Sequence, residues 1–310
     1  MGMDDRPNHG NVIAPFDARG EIDAQALREN LWYVANGGNK VFVGGPAAAE
    51  FHHLSRREKS FLWEFCVREL SGKAHVCMIP VGPASTAEMI EMYREGQALG
   101  FDGALLYVPG PVRGGYPWFE REVERYYRDV LEAVDMPLYL CAYHGGDIID
   151  THDHRVSPAL LGRLTEEYSE RIAGVATTFN LQETLAAIGG RKPVRAVDVD
   201  GRYEKLELGV YGFHSAAESV APQLCASVPD LYHAGDKAGA RERSAVLDRL
   251  WRLVGPGQRY AYPRCVKPIL RHLGFSAGEM RRPFLPLAPE EEGELLRAID
   301  ALGVRGIEGR

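Results

Sequence analysis

The sequence predicts one α/β domain of the (β/α)8, or TIM, barrel class with a C-terminal helical extension. Eight short apolar segments recur between residues 11 and 213, and a stretch with helical spacing of apolar residues follows each of them. Continuous apolar segments of this length are typical of parallel strands that are buried on both faces. The chain has 310 residues, which suits a single barrel.

The predicted elements alternate strictly along the chain. Ser55 with Glu58 forms a capping box, Ser85 begins another helix, Ser157 precedes a first-turn proline, and Asn180 is expected to cap a further helix. Residues 1–230 are assigned to the barrel and 231–310 to the extension. The predicted strands are 11–16, 40–45, 75–81, 103–108, 137–143, 171–178, 194–198 and 209–213, and the late helices are 237–253, 264–273 and 289–302.

Composition and charge exclude several classes of function. A net charge of -7 and a pI of about 5.8 argue against a nucleic-acid surface. No apolar run approaches the roughly 20 residues that span a bilayer. The segment from Met1 to Gly10 lacks the apolar core of a signal peptide, so a cytoplasmic protein is expected. The five cysteines lie far apart without a CxxC pair, and buried reduced thiols are expected.

Several motifs in a fixed order resemble one enzyme family. They are Ala14-Pro15-Phe16 with Gly20 to Asp23, the loop from Gly44 to Ser55, Ser85 to Glu88, and the tail with Pro263, Lys267, Gly274, Arg281, Arg282 and Pro283. Together they resemble the dihydrodipicolinate synthase / N-acetylneuraminate lyase family, and the Glu50-Phe51 version of the loop is most similar to the 5-dehydro-4-deoxyglucarate dehydratase branch. The resemblance implies a TIM barrel, a small-molecule substrate and a homo-oligomer, either a dimer or a tetramer.

The catalytic positions that the resemblance implies are all substituted. Family members use a lysine that forms a Schiff base with a keto acid, a tyrosine that relays protons, and a loop that binds the carboxylate. The lysine position is Ala176 here, and the tyrosine position is Cys141. The loop threonines correspond to Ala47 and Ala48, and a second tyrosine corresponds to Gly110 or Pro111.

No other lysine is expected to replace the missing amine. Every lysine of the sequence lies on a predicted helix or at the entry side of a strand, as Lys40 does, whereas barrel active sites form at the carboxyl ends of strands. We therefore expect no lysine amine to project into the barrel, and Schiff-base chemistry to be closed to this protein.

A different set of polar residues is predicted at the barrel mouth. The catalytic candidates are His144, His214, Asp198 and Tyr143, because imidazoles and carboxylates on adjacent strand ends can tune each other for acid/base work. The candidates for substrate binding are Thr177, Thr178, Arg113, Tyr107 and Asp200. Each candidate also has a structural reading, as a half-buried aromatic, a turn residue or a solvated loop residue.

Metal and thiol chemistry remain open alternatives at the same mouth. His144, Asp198 and His214 could ligate a divalent cation, although their spacing is not diagnostic. The histidines and acids of residues 150–154 fit a solvated capping segment better than a metal site. Cys141 fits a small core residue better than a nucleophile. No metal and no cofactor is predicted.

Two functions remain after this reading of the sequence. One is a retooled lyase or hydro-lyase that uses acid/base chemistry on a small carboxylate or sugar-acid-like substrate. The other is a catalytically silent relative that binds a metabolite or acts as a regulatory or scaffold protein. Loss of the expected catalytic residues favours the second, and the renewed polar set at the mouth favours the first.

Overall fold

Eight parallel strands close into a barrel in chain order. The computed structural model describes residues 6–45, 49–81, 85–107, 119–142, 156–255, 258–260 and 262–308. Each strand pairs with the next along the chain, and the eighth pairs with the first, which confirms the predicted TIM barrel. The strands are β1 His9–Val12, β2 Lys40–Val43, β3 Val76–Met78, β4 Gly103–Tyr107, β5 Leu138–Cys141, β6 Ile172–Thr177, β7 Val194–Val197 and β8 Gly212–Ser215.

Helices connect the strands and continue after the last one. Around the barrel they are α1 Ala24–Asn36, α2 Arg56–Leu70, α3 Thr86–Leu99, α4 Glu120–Ala133, α5 Pro158–Glu167, α6 Leu181–Ile188 and α7 Arg202–Glu207. After β8 follow α8 Ala217–Val220, α9 Pro222–His233, α10 Lys237–Val254, α11 Val266–His272, α12 Pro289–Ala301 and α13 Arg305–Glu308.

Most of the predicted helix caps are present. The hydroxyl of Ser55 accepts from the Glu58 amide while the Glu58 carboxylate accepts from the Ser55 amide, so the capping box is confirmed. Ser85 and Ser157 also cap their helices through the hydroxyl. The prediction for Asn180 is wrong. Its backbone is left-handed at φ 47°, and its side chain caps no amide of α6.

Most strands are shorter than predicted, and the starts of β1 and β8 are displaced furthest. β1 starts at His9, two residues before the apolar run, and Phe16 instead makes isolated antiparallel bridges to Ile22 and Glu279. β8 starts three residues later than predicted because Gly209 adopts φ 104° and turns the chain before the strand. As a result His214 lies inside β8 rather than beyond its end.

The C-terminal helices share a hydrophobic core with one side of the barrel. Phe213 of β8, Leu224 of α9, Leu250 of α10, Ile269 of α11 and Ile299 of α12 belong to one buried cluster. The five cysteines are buried and unbridged, as expected. No helix in the described part of the chain is long and apolar enough to span a membrane.

A buried ion pair joins the tail to the loop after β2. The ammonium of Lys267 lies 2.6 Å from the carboxylate of Glu50, and both side chains are almost fully buried. The other carboxylate oxygen of Glu50 accepts from the backbone amide of Arg281 at 2.8 Å. Residues that carry the sequence resemblance at opposite ends of the chain therefore contact each other and hold this loop in place.

Candidate active site

Three inward-facing residues lie side by side on neighbouring strands, and one of them is Ala176. Ala176 of β6 pairs in register with Cys141 of β5, and Cys141 pairs with Tyr107 of β4. Register partners in a parallel sheet face the same side. Cys141 and Tyr107 end their strands, so this group lies at the carboxyl end of the barrel. Ala176 is 1% exposed and presents a methyl group beside a buried thiol.

Buried tyrosines of α3 and α4 fix the strand ends around this position. The hydroxyl of Tyr93 donates to the carbonyl of Leu105, and the hydroxyl of Tyr126 donates to the carbonyl of Tyr107, both at 3.0 Å. Tyr127 donates to the carbonyl of Cys141 at 2.7 Å. Burial raises the pKa of these three tyrosines, so they stay protonated and keep donating. These hydrogen bonds tie β4 and β5 to the helices α3 and α4 near the mouth.

The two threonines after the substituted position are tied to the backbone. The hydroxyl of Thr177 donates to the carbonyl of Phe179 at 3.1 Å, and that of Thr178 donates to the carbonyl of Val197 at the end of β7. Because each hydroxyl has one proton, each retains only acceptor capacity for a ligand in this arrangement.

His214 and Asp198 are brought together by neighbouring strands. The backbone amide of Asp198 donates to the carbonyl of His214 at 3.1 Å, and His214 pairs in register with Val197. Asp200 lies further out. Its carboxylate is 68% exposed and sits 3.7 Å from the ammonium of Lys205. Of the two predicted aspartates, Asp198 is the one that the fold places next to a predicted histidine.

The ring of His214 belongs to an aromatic cluster inside the barrel. His9 of β1 stacks on Phe42 of β2 at 4.3 Å between ring centroids and meets the edges of Tyr139 of β5 and His214. Burial and then the charge of Arg195 lower the pKa of His214 to about 3 and hold that of His9 well below its ordinary value. Both imidazoles are therefore neutral at physiological pH.

The expectation that no lysine amine projects into the barrel is wrong. Lys40 is the first residue of β2, at the entry side as predicted, but its ammonium donates to the hydroxyl of Tyr139 at 2.8 Å inside the barrel. Tyr139 lies one inward-facing position deeper than Cys141 on β5. Tyr139 pairs in register with Gly174, one inward-facing position before Ala176 on β6, so the residue that this amine contacts lies below Ala176.

Arg195 of β7 is a second buried cation inside the barrel. Its guanidinium donates to the carbonyls of Pro7 at 2.8 Å and Arg6 at 3.1 Å, and it lies over the ring of Tyr139. Gly174 provides the space for it, since a Cβ at that position would stand 3.2 Å from the guanidinium and from Tyr139. The sequence analysis did not identify Lys40, Arg195 and His9 as residues of the barrel interior. The signal that could have indicated them was a polar residue at the start of an otherwise apolar strand.

Strained backbone is concentrated at the carboxyl ends of the strands. Among the described residues, the non-glycine positions with positive φ are Glu50, Asn180 and Asp198, with values between 47° and 51°. They follow β2, β6 and β7 respectively. Such conformations cost free energy and are typical of functional sites. The surrounding structure holds these three residues in the left-handed conformation at the carboxyl ends of the strands.

Some predicted residues lie outside the described part of the chain. These are Tyr143, His144, Arg113, Ala47, Ala48 and Gly110, together with the polar run at residues 150–154. Within the described ranges, no group of three or more His, Cys, Asp or Glu side chains is arranged to hold a metal ion.

The closed barrel with its C-terminal helices is a lyase-family TIM barrel. The chain belongs to the dihydrodipicolinate synthetase family, whose model matches residues 9–302. It is 28% identical over 305 residues to the 4-hydroxy-tetrahydrodipicolinate synthase of Gluconacetobacter diazotrophicus, covering 96% of this chain and 95% of that protein. It is 30% identical over 292 residues to the enzyme of the same name from Acidithiobacillus ferrooxidans, covering 90% and 94%.

Solved structures support the same fold. Dihydrodipicolinate synthase DapA-2 of Bacillus anthracis superposes with a TM-score of 0.83 at 21% identity, covering 96% of this chain and 99% of that one. A structure described as the first monomeric dihydrodipicolinate synthase variant superposes with a TM-score of 0.82 at 20% identity, covering 98% of each chain.

Proposed function

We propose that this protein is a lyase-family enzyme that works without a Schiff base. It would carry out acid/base elimination, hydration or C–C cleavage on a small carboxylate or sugar-acid-like substrate, with no metal and no cofactor. The observation that supports this most directly is the pairing of Ala176 with Cys141 at the carboxyl end of the barrel. A methyl group and a thiol stand side by side where the family resemblance implies a lysine and a tyrosine.

Lys40 does not restore the missing chemistry in this proposal. An imine-forming lysine must be reached by the carbonyl carbon of a substrate and needs a neutral amine. The side chain of Lys40 is buried at the entry end of β2, and it contacts Tyr139, which lies below Cys141 on β5. The active-site loops of a TIM barrel follow the opposite, carboxyl ends of the strands. Its hydrogen bond to Tyr139 is explained by the structural role of stabilising the lower half of the barrel.

The neutral state of the His214 imidazole determines the role that we propose for it. A base with a pKa near 3 is a weak proton acceptor at neutral pH, so His214 would act as a neutral hydrogen-bonding imidazole. Proton transfer would fall to His144, Tyr143 and Asp198. Substrate positioning would fall to Arg113, Tyr107, Thr177, Thr178 and Asp200. We also propose a cytoplasmic homo-oligomer, either a dimer or a tetramer, on the family resemblance.

A borohydride experiment tests the absence of imine chemistry. The protein is incubated with pyruvate and sodium borohydride, and its intact mass is measured. We expect the mass to stay that of the unmodified chain. A trapped adduct would overturn the proposal, and repeating the reaction with Lys40→Met and with Lys267→Met would show which amine had formed it.

A silent, ligand-binding protein is the second candidate function. The observation that favours it is that both catalytic positions at the β5–β6 junction are small and buried. The two functions separate through the variants His144→Ala and His214→Leu, assayed against a panel of 2-keto and polyhydroxy acids by mass spectrometry. We expect wild-type turnover of one compound and at least a tenfold loss in the variants. Binding without turnover in the wild type would favour the silent protein.

A further inference from the structure

A row of inward-facing polar residues crosses β8, β1 and β2 inside the barrel. His9 of β1 pairs in register with His214 of β8 on one side and with Lys40 of β2 on the other. Register partners in a parallel sheet face the same side. The rings of His9 and His214 are 5.6 Å apart between centroids and nearly perpendicular. All three side chains are buried, so the row belongs to the barrel interior.

Residues of other strands join this row in one cluster. Tyr139 of β5 meets the ring of His9 edge-on at 4.9 Å between centroids, and its hydroxyl accepts from the ammonium of Lys40 at 2.8 Å. The guanidinium of Arg195, from β7, lies 5.5 Å from the centre of the same tyrosine ring. Phe42 of β2 stacks on His9 at 4.3 Å. Direct contacts therefore bring an imidazole, an ammonium and a guanidinium together around Tyr139.

His9 has unused hydrogen-bonding capacity at the centre of this cluster. Its side chain is fully buried, and within the described part of the chain neither of its ring nitrogens has a hydrogen-bond partner. The Nδ1 atom of His214 is likewise buried and unpaired among the described residues. Buried polar groups are seldom left in this state, because an unmade hydrogen bond costs free energy. These nitrogens therefore indicate a bound water, ion or small ligand.

The charges around His9 favour an anion. Burial holds the pKa of His9 well below its ordinary value, and the positive charges of Arg195 and Lys40 lower it further. A metal cation would be repelled by the guanidinium and the ammonium, whereas an anion would be attracted by both. The neutral imidazole of His9 has one N–H group that can donate to an anion. Because the rings of the cluster are in contact with each other, the anion must be small.

We propose that His9, Lys40 and Arg195 form a binding site for a monatomic anion, chloride or another halide, inside the barrel. One imidazole N–H would donate to the ion, and the ammonium and guanidinium would balance its charge. The ion would stabilise the folded protein, because the unfolded chain has no such site. This inference goes beyond the proposed function and does not depend on it, since it assigns the ion no role in the reaction.

Bromide is the probe that locates the ion. Crystals of the wild-type protein are soaked in sodium bromide, and an anomalous difference map is calculated from data collected at the bromine absorption edge. We expect a peak inside the barrel, in direct contact with a ring nitrogen of His9 and beside the ammonium of Lys40. A map with peaks on the protein surface and none inside the barrel would rule the site out.

Thermal unfolding separates a built site from chance binding. Sodium chloride at about 0.1 M should raise the Tm of the wild type by about 2–4 °C over the same concentration of sodium methanesulfonate, whose anion is too large for the site. In His9→Phe, which keeps an aromatic ring on Phe42, and in Lys40→Met, this difference should fall below about 1 °C. Lys237→Met is the matched control. It removes an exposed ammonium that pairs with Glu207 at 2.8 Å, so it should keep the wild-type difference.

Two results of the thermal experiment would count against the inference. An equal Tm in the two salts would mean that any bromide peak marks an adventitious ion only. A chloride response that persists unchanged in the folded His9→Phe and Lys40→Met variants would place the stabilising ion elsewhere. If His9→Phe fails to fold, Lys40→Met and the bromide map decide.

Discussion

The neutral state of His214 predicts a specific loss of stability in acid. The pKa of His214 is about 3 in the folded protein and would rise to its ordinary value of 6.5 on unfolding. Between these values the unfolded chain binds a proton that the folded chain does not, so stability falls as the pH falls. Each pH unit within the window is worth about 1.4 kcal/mol, so lowering the pH from 7.5 to 4.5 should cost about 2.7 kcal/mol through this residue. His9 should act in the same direction.

The perturbation that isolates this effect is His214→Leu. Leucine has a similar volume and no titratable group, so at pH 7.5 the variant should lie within about 1.5 kcal/mol of the wild type. Carboxylates also titrate in this range, but they do so in both proteins. The difference in unfolding free energy between variant and wild type should therefore move by about 2.7 kcal/mol in favour of the variant by pH 4.5.

Urea denaturation at pH 7.5, 6.5, 5.5 and 4.5 measures this difference. Phe213→Leu is the matched control, because Phe213 is the buried neighbour on β8 and carries no titratable group. It should destabilise the protein by about 1 kcal/mol at every pH. A gap between His214→Leu and wild type that stays constant from pH 7.5 to 4.5 would refute the reasoning.

Two buried ion pairs give further predictions, each measured by urea denaturation at pH 7. Glu218→Gln removes the charge that balances the buried guanidinium of Arg202, 2.7 Å away, and should lower the free energy of unfolding by about 3 kcal/mol. Combining it with Arg202→Met should recover part of that loss. Strictly additive losses would contradict a coupled pair. Lys267→Met leaves Glu50 buried without its ammonium partner and should also cost about 3 kcal/mol. Its control is Lys237→Met, whose exposed pair should be worth less than about 1 kcal/mol, and equal losses in both variants would count against the tail contact.

The barrel could be predicted from sequence because its signals are local and repeated. Apolar segments, serine caps and glycine helix ends each depend on a few adjacent residues, and their alternation over the chain admits few topologies. The ends of the strands were harder to predict from the sequence. At β1 the apolar run extends to Phe16, but Pro15 has no amide to donate, and the strand lies earlier, at His9–Val12.

The polar interior of the lower barrel could not be predicted by the same means. Lys40 and Arg195 stand at the start of strands, where a charged residue usually indicates the end of a loop. Whether such a side chain points into the barrel depends on the inward and outward alternation of the whole strand and on its register with both neighbours. Gly174 makes room for Arg195 from a different strand. That dependence on distant residues leaves no local pattern to read.

Lys40 and Ala176 place an amine and a methyl group at different positions along their strands. This chain has a lysine and a tyrosine in hydrogen-bonding contact inside the barrel, at 2.8 Å. Tyr139 of this pair contacts Arg195 and the ring of His9, whereas the left-handed residues and the loops that follow the strands lie at the carboxyl ends of the strands. In the function proposed here, a substrate held by those loops would meet the methyl group of Ala176. We therefore propose that its chemistry proceeds through hydrogen bonds and proton transfer at the mouth.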